Sequence, residues 1–207
     1  GDLSRPLPKP KGGKAGPAGY ALSDDFSQDR FGIQWCFHDP KPNEMERVER
    51  KNQSLNLQAQ GTSPADSAPL VCSVGDRRYE AEITMDIDGS AEGGLLLFYN
   101  HKAYVGVSFN GEVMKTWQYA EEQAWSRTQV RASAIRVRVT NDENVITWHY
   151  STDGGKTWVR HPTRMEVGGL NHNTFGGFLS LKIGLCSTGD GAVRWCNFIY
   201  RALQQGR

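Results

Sequence analysis

The stretch GGLLLFYNHKAYVGVSFNGEVMKTWQY, residues 93–119, reads as three short strands with apolar or aromatic side chains on both faces. A surface sheet ordinarily buries one face and wets the other, so a second apolar face needs a partner. Pairing Tyr99 with Tyr104 across the Asn100–Ala103 connection places Leu96, Phe98, Val105, Val107 and Phe109 on one side. Leu95, Leu97, Tyr99, Tyr104, Gly106 and Ser108 then share the other. Asn110-Gly111 is a strong hairpin signal, and turning there brings Val113, Lys115 and Trp117 to that second side. The expectation is a strip floored by Gly106 and Ser108 and bordered by Tyr99, Tyr104 and Trp117, a groove suited to a flat ligand.

A second hairpin behaves differently. With a turn at Asn141–Asn144, Val139 faces Ile146, Val137 faces Trp148 and Ile135 faces Tyr150. The opposite face pairs Arg138 with Thr147 and Arg136 with His149. Apolar-inside, polar-outside alternation of this kind marks a one-sided sheet, with Trp148 and Tyr150 as core aromatics.

Working outward, period-two segments recur and no convincing 3.6-residue period is visible. The expected strands are Ser54–Ala59, Pro69–Cys72, Tyr79–Asp86, Gly93–Tyr99, Tyr104–Asn110, Val113–Tyr119, Thr128–Ala132, Ile135–Thr140, Val145–Tyr150, Thr157–His161, Phe178–Leu185 and Ala192–Tyr200. Turns are expected at Asp88-Gly89, Asn110-Gly111, Asn141–Asn144, Asp153-Gly154-Gly155 and Gly189-Asp190-Gly191. About a dozen strands with close-set turns predict an all-β fold of two packed antiparallel sheets, a sandwich of jelly-roll type. Residues 1–22, rich in Pro, Gly and Lys, read as a flexible linker, and residues 23–207 as the sandwich domain.

The 207 residues suffice for a substantial core, and the formal net charge of +1 is spread along the chain. That distribution does not favour capture of nucleic acid or of an anionic membrane, and the apolar runs are too short to span a bilayer. The chain opens at Gly1 without Met, which suggests a cut-out fragment or a processed protein and leaves export open. The four cysteines, Cys36, Cys72, Cys186 and Cys196, have no C-x-x-C spacing. Cys186 and Cys196 flank the expected turn at 189–191 and are either a disulfide or buried thiols.

Several groups could carry chemistry. Glu80, Glu82, Asp86 and Asp88 share one strand face at ~6–7 Å intervals, which suits a glycosidase pair or else an acidic stripe paired with Arg136 or Arg138. Asp24 and Asp25, near the seam of the first and last strands, are candidate Ca2+ ligands, with an N-terminal turn as the alternative. The five histidines form no zinc-binding group. Ser151–Trp158, STDGGKTW, resembles an Asp-box turn, and a single copy reads as structural. The loop around Phe37, His38 and Asp39 mixes aromatic and polar tips and is a candidate contact with a ligand or a neighbouring domain.

Taken in order, SDDFSQDRFGIQWCFHDP, GTSPADSAPLVCSVGDRRYEAEITMDID, GGLLLFYNHKAYVGVSF, YSTDGGKTW and GLNHNTFGGFLSLKIGLCSTGDGAVRWCNFIYRAL resemble one family. They are similar to the C-terminal concanavalin-A-like β-sandwich that follows the catalytic propeller in family 43 glycoside hydrolases, the β-xylosidases and arabinofuranosidases. The resemblance runs from about Ser23 to Leu203. It implies a non-catalytic accessory or carbohydrate-binding module, a catalytic partner domain in the parent chain, and a plant cell-wall oligo- or polysaccharide of xylan or arabinoxylan type as ligand. A secreted or periplasmic setting is then favoured over a cytoplasmic one.

On that reading sugar rings stack on Tyr99, Tyr104 and Trp117, while Lys115, Ser108 and Asn100 hydrogen-bond hydroxyls. The first alternative is that the same aromatic face packs on the catalytic propeller. The second is a small glycosidase using the Glu80–Asp88 stripe.

Overall fold

Period-two alternation is realised as thirteen strands in a computed structural model that describes residues 19–203. They are β1 (Trp35–Phe37), β2 (Val48–Arg50), β3 (Leu55–Gln58), β4 (Leu70–Ser73), β5 (Arg78–Asn100), β6 (Ala103–Phe109) and β7 (Val113–Gln118). Then follow β8 (Glu121–Glu122), β9 (Thr128–Gln129), β10 (Ala134–Asp142), β11 (Val145–Ser151), β12 (Val159–Glu166) and β13 (Lys182–Ala202). The one α-helix among the described residues, α1, is the single turn His172–Phe175. No described helix is long and apolar enough to cross a membrane.

All pairings between these strands are antiparallel. β5 and β13 pair with each other along nearly their whole length and pass together from one layer into the other. The first sheet runs β2, β3, the C-terminal half of β13, the N-terminal half of β5, β10, β11, β12. The second runs β1, β4, the N-terminal half of β13, the C-terminal half of β5, β6, β7, with β8 and β9 beside β7. Side chains from both layers, among them Leu57, Ile83, Leu97, Val105, Val137, Trp148 and Trp195, form one continuous core.

The crossing point explains why two expected turns are not chain reversals. At Asp88-Gly89 and Gly189-Asp190-Gly191 the paired strands bend without breaking register, so Gly89 stays opposite Gly191 and Ser90 opposite Asp190. Gly189 and Gly191 take φ of 86° and 115°, and a Cβ on Gly191 would lie 2.5 Å from the Asp88 carbonyl oxygen. Glycine permits the fold-over that turns one long ribbon into two layers. The two ends of each long strand accordingly return to one pole of the sandwich, where Tyr79 and Asn141 line a crevice with Leu181.

This topology also separates Cys186 from Cys196, which sit on the two halves of β13. All four cysteines are free thiols, Cys72 and Cys186 buried and Cys36 exposed. Burial pushes the Cys72 thiol up to about 12.

Three registers differ from expectation: β6–β7 slips by two, pairing Ser108 with Lys115 and Gly106 with Trp117 where Val113 and Lys115 were expected. A bulge at Tyr99 pairs Phe98, not Tyr99, with Tyr104, so Tyr99 swings into the inter-sheet core. Leu95, Leu97, Val105, Val107 and Phe109 face that core with it, whereas Leu96, Phe98 and Tyr104 face outward. In the β10–β11 hairpin the turn is the tight pair Glu143-Asn144, both at positive φ, so Val139 pairs with Trp148 and Arg138 with His149. A slip of two residues preserves which face each side chain takes, and Trp148 is a core residue.

β1 arises inside what reads as a loop, because Trp35 packs on Phe198 and Phe26. Conversely Phe178–Leu181 precedes β13 as a loop. Of the expected linker 1–22, residues 1–18 lie outside the described residues. Tyr20 N donates to Asp76 Oδ2 at 3.2 Å, and Leu22 packs against the core.

Candidate functional site

The outward face of the second sheet is where the aromatic strip was expected, and most of its residues do assemble there. β5, β6, β7 and the adjoining strands bring Leu96, Phe98, Tyr104, Trp117, Val71 and Cys186 into a second apolar cluster. Phe98 stacks on Tyr104 at 5.5 Å, and Tyr104 lies 6.1 Å from Trp117. The cluster is not an open groove. Tyr104 is 0 % exposed and Trp117 8 %, covered by the chain's own connection between β3 and β4.

That connection is held in place from several directions. Gln60 N donates to Ser187 O, Gly189 N to Gly61 O, and a capping box at Ser63 and Asp66 stiffens the 3-10 turn Pro64–Asp66. Ala65 packs on the aromatic cluster. Arg47 donates to Gln58 O and Ser67 O, both at 3.0 Å, and pairs with Glu44. His38 closes another side with its ring against Phe98 at 4.9 Å. Residues expected to meet a ligand therefore meet the protein itself.

Polar members of the strip are engaged as well. Trp117 Nε1 donates to Ser108 Oγ at 2.7 Å, and Ser108 Oγ donates to Glu92 Oε1 at 2.5 Å. Lys115 Nζ reaches the other Glu92 oxygen at 2.5 Å. A carboxylate, a lysine, a serine and an indole form a satisfied chain at the edge of the cluster. Tyr99 lies on the other side of the sheet, its hydroxyl donating to Gly176 O and accepting from Leu179 N. Asn100 caps its own turn by accepting from Lys102 N at 2.9 Å.

Phe37, His38 and Asp39 do not project as a recognition loop. Phe37 packs against the core beneath the Arg47 guanidinium, and Asp39, exposed at φ 52°, borders a shallow crevice with His38 and His101. Asp24 and Asp25 form local turns. Asp24 accepts from Phe26 N, Gln34 Nε2 and Trp35 Nε1, and Asp25 from Ser27 N. These donors engage both Asp24 oxygens and one Asp25 oxygen, as in the N-terminal turn that was the alternative to a Ca2+ site, and among the described residues no three His, Cys, Asp or Glu side chains converge.

On the first sheet the acidic stripe resolves into ion pairs with arginines from neighbouring strands. Glu82, 2 % exposed, is clamped between Arg136 and Arg138, the latter donating from Nε at 2.8 Å. Asp86 pairs with Arg194, while Glu80 meets Arg201 at 3.7 Å and accepts from Thr140 at 3.3 Å. Antiparallel pairing puts Glu82 opposite Arg138 and Asp86 opposite Arg194, so the cross-strand register makes the pairs. Asp88, the fourth member of the expected stripe, lies at the bend outside these pairs.

The Asp-box turn is likewise self-satisfied. Asp153 accepts from Ser151 Oγ, Lys156 N, Thr157 N and Thr157 Oγ1, which holds its carboxyl well below the ordinary range. Trp158 carries the Arg138 guanidinium 3.8 Å above its ring.

One exposed aromatic stands out at the pole opposite the bends. Gly176, Gly177 and Phe178 have successive φ values of 69°, 82° and 51°, and Phe178 is 86 % exposed. Positive φ at a Phe is strained, yet the segment is anchored. Phe178 N donates to His172 Nδ1, its ring stacks on His172 at 3.6 Å, and Tyr99 grips both neighbours. Sequence reasoning absorbed Phe178 into a strand; the Gly176-Gly177 pair before it was the available signal for a presented loop.

Several solved structures that share this fold are family 43 glycoside hydrolases longer than this chain. The chain superposes on a K247S mutant of the family 43 protein BlXynB from Bacillus licheniformis with TM-score 0.77 and 16% identity, covering 87% of this chain and 39% of that one. Against the xylan β-1,4-xylosidase of Bacillus halodurans C-125 the values are 0.76, 13%, 93% and 41%. An engineered family 43 hydrolase described as having endo-xylanase and exo-arabinofuranosidase activity gives 0.70, 18%, 93% and 42%. At these identities the likeness shows the fold, and the chain spans about two fifths of each of these structures. No curated protein matches the chain in sequence. The model of the β-xylosidase C-terminal concanavalin A-like domain matches residues 23–201, and the chain belongs to that family.

Proposed function

We propose that the chain is a non-catalytic accessory sandwich that docks on the catalytic domain of a family 43-type glycoside hydrolase acting on plant polysaccharide. The single observation that carries the docking is Phe178, an exposed aromatic held in a strained and anchored loop. Exposing a ring this fully at a backbone cost is unusual unless a partner covers it. Leu179, the next residue, is also exposed. Propeller packing on the Tyr104–Trp117 face is disfavoured, because that face already has a cover.

Sugar stacking on Tyr104 and Trp117 requires the 59–69 connection to leave, exposing an apolar cluster. The docking reading needs no such opening. Its test is light scattering of the chain with the catalytic domain of its parent enzyme. A one-to-one complex that Phe178→Ser dissolves is expected, and absence of a complex with any family 43 catalytic domain overturns the docking. The non-catalytic role predicts no release of reducing sugar from xylan by the chain alone; release that Glu82→Gln abolishes overturns it.

A further inference from the structure

The segment Ser23–Gln34 borders a depression of about 900 Å3 whose far wall is Arg136 and whose floor is Asn197–Ile199. It lies on the first sheet, away from both the covered aromatic face and the Phe178 loop. Its size is that of a ligand site, and it is open to solvent.

Three features make it a built surface. First, β13 bulges between Cys196 and Ile199, and Asn197 there takes φ 54°. Bulges in such places re-aim a side chain, here an amide at the floor of the depression. Second, Arg50 braces the wall. Its guanidinium donates to Gln28 O and Arg30 O, both at 2.6 Å, and stacks on Phe31 at 4.3 Å. A loop pinned at two carbonyls loses little freedom when a ligand arrives. Third, the lining supplies planar hydrogen-bonding groups of both kinds: the carboxylate of Asp25, the amides of Gln28, Gln34 and Asn197, and the guanidinium of Arg30. Among the described residues, the Asn197 amide and the Arg30 guanidinium take no intramolecular hydrogen-bond partner.

Charge narrows the ligand class. Asp24 and Asp25 are set against Arg30 and Arg136, with Arg136 already paired to Glu82, so neither a phosphate nor a metal cation is favoured. Vicinal hydroxyls each donate and accept, as the amide and carboxylate lining demands, and Phe31 and Ile199 offer apolar surface to C–H faces. We propose that this depression binds a neutral oligosaccharide chain. The proposal rests on the accessory-module reading for its ligand class, while its residues are separate from the docking loop.

Isothermal titration of the whole chain with xylohexaose and with cellohexaose tests it. Saturable binding of at least one is expected, weakened at least tenfold by Asn197→Gly, which keeps the left-handed backbone and removes the amide. The double change Gln28→Ala with Arg30→Ala, at solvent-facing positions, should do the same and decides the matter should Asn197→Gly disturb the fold. Lack of saturable binding to both sugars, or unchanged affinity in the double variant, overturns the subsite. Phe178→Ser should leave sugar affinity intact, so failure here and failure of the docking are separable.

Discussion

The two outward faces of this sandwich resolve the same problem in opposite ways. On the second sheet the outward residues are Leu96, Phe98, Tyr104 and Trp117, and the chain roofs them with its own 59–69 connection. On the first sheet the outward residues are Glu80, Glu82, Asp86, Arg136, Arg138 and Arg194, which neutralise one another and stay at the water boundary. An apolar outward face therefore marks a missing cover rather than a ligand. Here the cover came from elsewhere in the same chain. The polar face, which alternation alone makes look ordinary, is the one that leaves a depression open.

The sharpest way to break that comparison is to cut the covered face. Trp117→Ala removes an indole from a closed cluster and the N–H that Ser108 Oγ accepts, so a loss of ~3–5 kcal/mol is expected in urea denaturation. A loss under about 1 kcal/mol would mean that the cover is loose and the face available to ligands. On the other face, Glu82→Gln leaves Arg136 and Arg138 sharing no carboxylate. With both arginines about a quarter exposed, a loss of ~2 kcal/mol is expected, smaller than for Trp117→Ala.

Histidines sample both faces and predict a common pH trend. Burial lowers the pKa of His38, which lies on Phe98, with Lys182 adding to the effect. Burial also lowers that of His149, reinforced by Arg138 and Arg160. A histidine whose folded pKa lies below its unfolded value binds protons more readily when unfolded. Its contribution is present above the ordinary value of 6.5 and is lost as pH falls below it. Stability should therefore decline as pH falls from 7 toward 5. NMR titration should place both imidazoles below 6.5. A pKa above that value for either would contradict the packing described. The smallest stability effect belongs to Phe178→Ser, within ~0.5 kcal/mol for the chain alone, because the ring is already in water.

Much of the fold was legible because strand alternation is local. The β10–β11 faces are those the alternation predicts despite a slip of two, since parity survives an even shift. The Tyr99 bulge was illegible. It is an odd shift, and an odd shift puts Tyr99 on the same face as Val105, where the expected pairing sets the two on opposite faces. Asp88-Gly89 and Gly189–Gly191 were legible as glycine sites but not as bends, because a turn and a fold-over ask the same of a backbone. The ion-pairing of Glu82 was open to anticipation from the outward arginines of β10. That Tyr104 and Trp117 are covered was not, because their cover lies about 40–50 residues upstream.

The sequence by itself determined an all-β sandwich, its polar and apolar faces, and the family, since these follow from residue alternation and an ordered set of local segments. Tertiary structure alone decided which apolar face is roofed, which carboxylates are paired, and which aromatics, Phe178 and Trp125 foremost, are left in water. Each of those depends on contacts between segments far apart in the chain, and the closure of such contacts is a property of the folded layers that no local pattern encodes.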